Sequence, residues 1–410
     1  MKNIKQPFVK GEVKKFVKGF KFPIYPNESQ KELLGQTFGC CRYIWNRALS
    51  EVKTEFDYYN AHKDLITITP TINPNVTGYG LVNRLISYKR DPNCIWLNDV
   101  SSVALQQNML HLGTAFSTFF KNRKGFPKFK KMQNKQSFTL MKNSFRFKEE
   151  KFYIANCKDS LIIDFTRKLP SEPSSAVISK TASGNYYISF VCEYFPIATI
   201  GSGVIGIDLG LKDFLVTSDG IKVPNPKNTK KYSKQLKRKQ QSLSRKQKAS
   251  KNREKARVVV AKQYERISNC RNDFQHKLSR NLVNENQVIG LEKLVVKNMV
   301  KNHKLAKSIS DVAWSNFTNK LNYKSMETQN CSLVYMDSYF PSTNVCNLDG
   351  YKLPIKLKLS ERSWICPQCK TMHDRDINAA INIRNEAILT LHAFKVPEHA
   401  CVRVLANSLH

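Results

Sequence analysis

Acidic side chains are scarce in this chain of 410 residues: 32 Asp and Glu stand against 67 Lys and Arg, a formal net charge of +35. Such an excess goes well beyond what solubility requires and calls for a polyanionic partner. Long apolar runs are missing too, since no stretch approaches the roughly 18 residues of a membrane span. No amphipathic anchor accompanies the charge, so a membrane surface is excluded as the partner. The opening segment MKNIKQPFVKGEVKK is basic but lacks the apolar centre of a secretory signal. A cytoplasmic, nucleoid-associated location is therefore the expectation. The 11 cysteines form no disulfide framework; Cys40, Cys41, Cys192 and Cys331 lie inside apolar patterns and read as small core residues of a reducing compartment. A His-hydrophobic-His array with a nucleophilic Tyr is also absent, which removes strand transfer through a covalent phosphotyrosine.

One core does not suffice at this length, and about two to four domains are expected. Residues 1–25 alternate loosely and end in Phe22-Pro-Ile-Tyr-Pro26, a strand followed by a turn. Asn27 is a good N-cap, with Gln30 three residues on to return the bond, so a helix begins there. Its apolar stripe runs through Leu34, Phe38, Cys41, Trp45 and Leu49, and a second helix after Asp99 carries Leu105, Met109, Leu112, Phe116 and Phe119. Residues 61–80, rich in Thr, Pro, Asn and Gly, read as a loop between them. From 136 to 200 the period falls to two, and Val177 to Phe195 folds back at Ser183-Gly184 as a hairpin. Residues 196–203 read as a connector, Val204 to Gly210 as a buried strand, and Phe214 to Thr217 as its partner.

The most basic stretch, residues 227–280, contains neither Gly nor Pro. Its apolar stripe resumes at Val260, Tyr264, Ile267, Phe274 and Leu278, which predicts two long helices, one turning phosphate-seeking side chains to solvent. A disordered basic linker is the bland alternative. Lys237, Arg238, Lys239, Arg245, Lys246 and Arg253 are the candidates for phosphate contacts, because clustered cations release condensed counterions from nucleic acid.

Against this background an acid inside an apolar run is informative. Asp208 stands in Ile207-Asp-Leu209, Glu292 follows Val288 to Leu291, and Asp376 opens Ile377 to Ile383. Buried carboxylates are costly unless neutralised. Two Mg²⁺ or Mn²⁺ ions, about 3.5–4 Å apart, would neutralise them and suit phosphodiester hydrolysis. Capping or strand-end roles are the alternative for each acid taken singly.

The segments GIDLGLKDFLVTSDG, GLEKLVVKNM and HDRDINAAINIRN resemble the three RuvC motifs of the TnpB family, the OrfB-type proteins of bacterial insertion sequences. FKFPIYPNESQKELLGQTFGCCRYIWNRAL and the basic run resemble other parts of the same family, so the likeness covers nearly the whole chain. It implies an RNA-guided, metal-dependent DNA endonuclease of a mobile element, related to type V CRISPR effectors, with Asp208, Glu292 and Asp376 as catalytic metal ligands and Asp374 as a cap. The partners implied are a guide RNA from the element and a double-stranded DNA target with a short flanking motif. Tyr43, Trp45, Asn46 and Arg47 are the candidate readers of that motif, with Trp45 equally suited to the core.

The implied fold is multi-domain α+β: a β-barrel wedge domain (1–26 and 135–200) split around a helical recognition domain (27–134). An RNase H-like RuvC domain (203–340 and 371–395) follows, with an inserted zinc ribbon (341–370) and a C-terminal tail (396–410). The ribbon departs from the family pattern. Cys366-Pro-Gln-Cys369 is a tight metal knuckle, but its partner reads Cys346-Asn-Leu-Asp349, with Asp where the second Cys is expected. Structural Zn²⁺ on Cys346, Asp349, Cys366 and Cys369 is one expectation, with His373 as substitute fourth ligand; loss of the metal is the other. A guide-dependent DNA-binding regulator without cleavage, and a guide-free RNase H-like nuclease, are the competing functions.

Overall fold

The computed structural model describes residues 15–61, 75–122, 125–155, 157–196, 201–328, 330–337, 340–358 and 360–393. The chain divides into two compact units, with the boundary between Tyr194 and Phe195.

The first unit opens with β1 (Phe16–Tyr25), and α1 (Glu28–Ala61) follows at once. A reciprocal cap starts the helix: Asn27 Oδ1 accepts from Gln30 N at 2.8 Å, and Gln30 Oε1 accepts from Asn27 N at 3.0 Å. The stripe Leu34, Phe38, Cys41, Trp45 and Leu49 is buried along its length. Next come α2 (Gly78–Arg90) and α3 (Ser102–Asn122), the latter burying Leu105, Met109, Leu112 and Phe116. The expected loop over 61–80 is corrected at both ends. Ala61 still belongs to α1, and α2 starts at Gly78 because Thr77 Oγ1 caps Gly80 N at 3.1 Å, a start that the Gly-Tyr-Gly sequence disguises as a turn. Residues 62–74 lie outside the described residues.

The strands β2 (Gln136–Met141), β3 (Phe145–Lys148), β4 (Lys151–Ile154), β5 (Ile162–Ile163), β6 (Ser175–Lys180) and β7 (Tyr186–Tyr194) complete this unit. The antiparallel sheet runs in the order β2-β6-β7-β1-β5, and β1 pairs with β7 from Phe16↔Tyr194 to Ile24↔Tyr186. The three helices are thus inserted between strands of one sheet. The β6–β7 hairpin turns through Thr181 to Asn185, as the sequence pattern predicts. Phe22, Phe152 and Phe190 fill its core, with rings of Phe152 and Phe190 5.4 Å apart.

The second unit is an α/β layer structure. Its strands are β8 (Gly203–Leu209), β9 (Asp213–Thr217) and β10 (Lys222–Pro224), then the helices α4 (Asn228–Lys231), α5 (Ser233–Ser244) and α6 (Lys251–Glu285). There follow β11 (Asn286–Glu292), α7 (Val296–Met299), α8 (Ala306–Val312), α9 (Trp314–Thr328), β12 (Ser332–Met336), the short hairpin strands β13 (Ser363–Ile365) and β14 (Met372–Asp374), and finally α10 (Arg375–Ala393). The main sheet has the order β10-β9-β8-β11-β12, with β8, β11 and β12 parallel and β9–β10 antiparallel at one edge. Parallel neighbours need crossovers, and the faces they cover are apolar. Phe214 of β9 packs edge-on against Phe274 of α6 and Phe317 of α9, at 5.0 and 4.9 Å. On the other side, Ile383, Ala387 and Leu391 of α10 cluster with Val288, Val334 and Met336. The basic run folds as the helical pair α5 and α6, held together by Leu236, Val260 and Ile267, so the linker alternative is set aside.

Candidate active site and metal centre

The three sequence-singled acids come together in the second unit. In the parallel pairing of β8 with β11, Gly206 lies opposite Gly290 and Ile207 opposite Leu291. Asp208 and Glu292 therefore follow at equivalent positions where the strands end. Strand residues two apart share a face, so both acids lie on the face of Gly206 and Gly290. That face carries α10. A Cβ on Gly206 would come within 2.0 Å of the Ala380 carbonyl oxygen, and one on Gly290 within 2.9 Å of that of Ile383. Only glycine allows the helix to lie so close. Asp376 stands one turn ahead of Ala380, which brings it beside the strand ends.

Electrostatics record the crowding. Burial, reinforced by the charges of Glu292 and Asp376, pushes the Asp208 carboxyl up to about 8, while Arg375 and Arg362 pull it back. Ser342 Oγ donates to Glu292 Oε1 at 2.5 Å, and Arg362 Nη1 reaches Asp376 Oδ2 at 3.1 Å. The donor set is all oxygen, and a hard divalent cation would offset the cost of ionising buried Asp208, so the residues fit Mg²⁺ or Mn²⁺. Asp374 caps α10, its Oδ1 accepting from the amides of Asp376 and Ile377 at 3.1 Å each. Burial works against its ionisation, but Lys222 Nζ at 2.5 Å and those amides together hold its pKa below the usual carboxylate range.

Sequence reasoning missed Ser342, Arg362, Asn378 and Asn382. Asn378 and Asn382, one turn apart on α10, each donate from Nδ2 to the Val345 carbonyl, at 2.8 and 2.7 Å, tying the Cys-bearing loop to the helix. Two Asn at an i, i+4 spacing inside an otherwise apolar stripe were the available signal.

The second cluster is the cysteine centre. The ligating atoms of Cys346, Asp349, Cys366 and Cys369 all lie within 4.8 Å of one another. Cys346 Sγ and Cys369 Sγ are 3.7 Å apart, close to the edge of roughly 3.8 Å expected for a tetrahedron with Zn–S bonds of about 2.3 Å. Asp349 Oδ2 lies 3.3 Å from Cys366 Sγ, while its Oδ1 accepts from Tyr351 N at 2.8 Å. That backbone bond, then the cysteine contacts, lowers the Asp349 pKa to about 2, so the group is an anion ready to ligate. His373 is not among the four. Its Nε2 touches Cys346 Sγ at 3.2 Å, and its ring lies 4.8 Å from that of Trp364. Burial pushes the Cys346 thiol up to about 12, a cost that a bound metal would offset by holding the thiolate. The residues fit zinc.

The six basic candidates separate into two groups. Lys237, Arg238, Arg245 and Lys246 are exposed, and Arg238, Arg245 and Lys246 border a recess of about 390 Å³. Lys239 and Arg253 are turned inward: Lys239 Nζ donates to Gln263 Oε1 at 2.6 Å, and Arg253 Nη1 donates to the carbonyls of Leu243 and Lys246 at 3.0 and 2.9 Å, closing the end of α5. In the first unit, Trp45 is core, with Nε1 donating to Lys128 O at 3.1 Å. Asn46 is spent on the backbone of Lys130, and Arg47 pairs with Glu51 and Asp91. Tyr43, 37% exposed, lines a groove of about 670 Å³, with its ring 4.9 Å from that of Trp96 and its hydroxyl 3.1 Å from Cys94 Sγ.

The class of protein follows from comparison with known folds. A solved Cas12f1–sgRNA–target DNA complex superposes on this chain with a TM-score of 0.53, at 14% identity, covering 88% of this chain and 83% of that one. The fold is thus Cas12f1-like. A family model for the IS605 OrfB proteins, described as "Probable transposase", matches residues 196–303, and a "Cas12f1-like, TNB domain" model matches 314–383. A "Helix-turn-helix domain" model matches 17–63, of which the described residues, 17–61, fold as part of β1 and the helix α1. Among curated proteins, a "Putative RNA-guided DNA endonuclease" of Streptomyces pristinaespiralis is 36% identical over 370 residues, 89% of this chain and 88% of that one. The protein InsQ of Escherichia coli, with the same description, is 25% identical over 387 residues, 90% of this chain and 92% of its own. The chain belongs to the TnpB family of insertion-sequence proteins.

Proposed function

We propose that this chain is an RNA-guided DNA endonuclease that hydrolyses phosphodiester bonds at Asp208, Glu292 and Asp376. The observation that carries this reading is the meeting of three acids from separated sequence positions at the N-terminal end of α10, with Asp208 raised to about 8 by burial and then by the charges of Glu292 and Asp376. Two divalent ions, Mg²⁺ or Mn²⁺, would supply Lewis-acid activation of water and charge stabilisation at the leaving oxygen. The protein's part is to fix the three carboxylates: β8 and β11 set Asp208 and Glu292, Gly206 admits α10, and Ser342 orients Glu292. Cys346, Asp349, Cys366 and Cys369 would hold a structural Zn²⁺ that stiffens the inserted ribbon, with His373 beside it rather than on it. Lys237, Arg238, Arg245 and Lys246 would follow phosphates of guide or target.

The domain plan accords with this activity. The strands β1 to β7 would be the wedge domain, α1 to α3 the recognition domain, the sheet of β8 to β12 with α10 the RuvC domain, and residues 341–370 the ribbon. The guide RNA would come from the mobile element, and the target would be double-stranded DNA beside a short flanking motif. Removing co-purified RNA from the protein with ribonuclease and then offering a guide-matched duplex separates the readings. Cleavage lost on RNA removal and regained on adding the RNA back supports the guided enzyme, whereas cleavage that persists without RNA supports a guide-free nuclease.

A further inference from the structure

The β13–β14 hairpin brings the Arg362 guanidinium to the carboxylate of Asp376. In the β13–β14 pairing, Ser363 lies opposite Asp374, Trp364 opposite His373 and Ile365 opposite Met372. The knuckle of Cys366 and Cys369 sits at one end of this hairpin, and Arg362 and Arg375 extend from the other. There the two strands stay joined, since Arg375 N donates to Arg362 O at 2.9 Å and Arg375 Nη1 donates to Lys358 O at 2.8 Å. This double clasp holds Arg362 against Asp376, with Nη1 at 3.1 Å from Oδ2 and 3.4 Å from Oδ1.

We propose that Arg362 is a positioning residue for the catalytic centre, an internal counter-cation that occupies Asp376 and must yield it when a divalent ion binds. The proposal rests on the two-metal assignment of the acids. Guanidinium and metal cannot share the carboxylate without repulsion between them, so loading the site entails an exchange. The pair is suited to exchange rather than to permanence, because the Arg362 side chain is 50% exposed and Asp376 19%. Half-exposed pairs are weak, and the competition they impose corresponds to about a two- to five-fold change in affinity. Because Arg362 is anchored in the hairpin that carries two of the cysteines, any displacement of the ribbon would also change how readily the acids take up metal.

The test is a Mn²⁺ titration of the full chain by calorimetry, with the Asp208→Ala chain as the blank, comparing wild type with Arg362→Gln and Arg362→Lys. Melting curves of the variants verify the fold at this half-exposed position. Removing the charge in Arg362→Gln is expected to tighten Mn²⁺ binding about two- to five-fold, while Arg362→Lys stays near wild type. A purely structural arginine would show no such dependence on charge. Unchanged or weaker binding in Arg362→Gln overturns the proposal. Equal heats from wild type and the Asp208→Ala blank would instead refute the metal assignment of the acids, and this proposal with it.

Discussion

Gly206 and Ala380 meet backbone to backbone: a single added carbon on Gly206 would stand 2.0 Å from the Ala380 carbonyl oxygen. The close seating of α10 on β8, and with it the position of Asp376, depends on that missing side chain. Gly206→Ala forces the helix outward. The expected result is a loss of about 1–3 kcal/mol in stability and a larger proportional loss of cleavage, since overpacking strain moves a carboxylate as well as a helix. Melting and cleavage assays on the same preparation measure both; wild-type values for each would contradict the close packing.

Asp208 gives a pH signature. Its folded-state pKa of about 8 lies above the ordinary carboxylate value, so between about pH 4 and pH 8 the unfolded chain has released a proton that the folded one retains. Stability from this group therefore falls as pH rises through that window. In protein dialysed free of Mg²⁺, the melting-temperature advantage of Asp208→Asn over wild type should grow from about pH 5.5 to about pH 8.5. Added Mg²⁺ should shrink that advantage at the higher pH by stabilising wild type alone. A pH-independent difference would contradict the crowding of the acids.

For the cysteine centre, metal analysis and melting distinguish the two candidate fourth ligands. Asp349→Ala is expected to lose zinc and to melt lower, whereas His373→Ala retains stoichiometric zinc. Asp349→Cys should bind zinc more tightly than wild type, because a thiolate replaces a harder carboxylate. The reverse order for Asp349→Ala and His373→Ala would move the ligand to His373.

The exposed and the inward-turned basic side chains are expected to separate by role. Arg238→Ala and Arg245→Ala should each reduce the slope of log affinity against log salt by about 1 for the RNA-loaded protein on matched DNA, with little change in melting. Arg253→Ala should leave the slope unchanged and lower the melting temperature, because it removes the bonds to the carbonyls of Leu243 and Lys246. Identical slopes in all three variants would contradict the division.

Much of this was legible in the sequence because the signals were local. The Asn27–Gln30 cap, the stripe from Leu34 to Leu49 and the turn at Ser183-Gly184 depend on neighbours three or four residues away, and all three are realised. The three acids stood out because charge inside an apolar run is costly. What stayed hidden depends on contacts between distant segments. Nothing near Arg253 in sequence says that it closes α5 instead of seeking phosphate, and Arg362 meets Asp376 only because a hairpin folds between them. Likewise α2 was obscured by glycines that usually mark turns but here begin a helix under a Thr cap.

Asp208, Glu292 and Asp376 are proposed to form one RNA-directed cleavage centre. The most direct measurement is Mg²⁺-dependent cleavage of a guide-matched DNA library by the chain purified with its co-expressed RNA, alongside Asp208→Ala. Cleavage of matched DNA alone, reduced in Asp208→Ala by more than the roughly 100-fold typical of outer-sphere partners, is the predicted result. Tight RNA-dependent DNA binding without cleavage by the wild-type chain would contradict it.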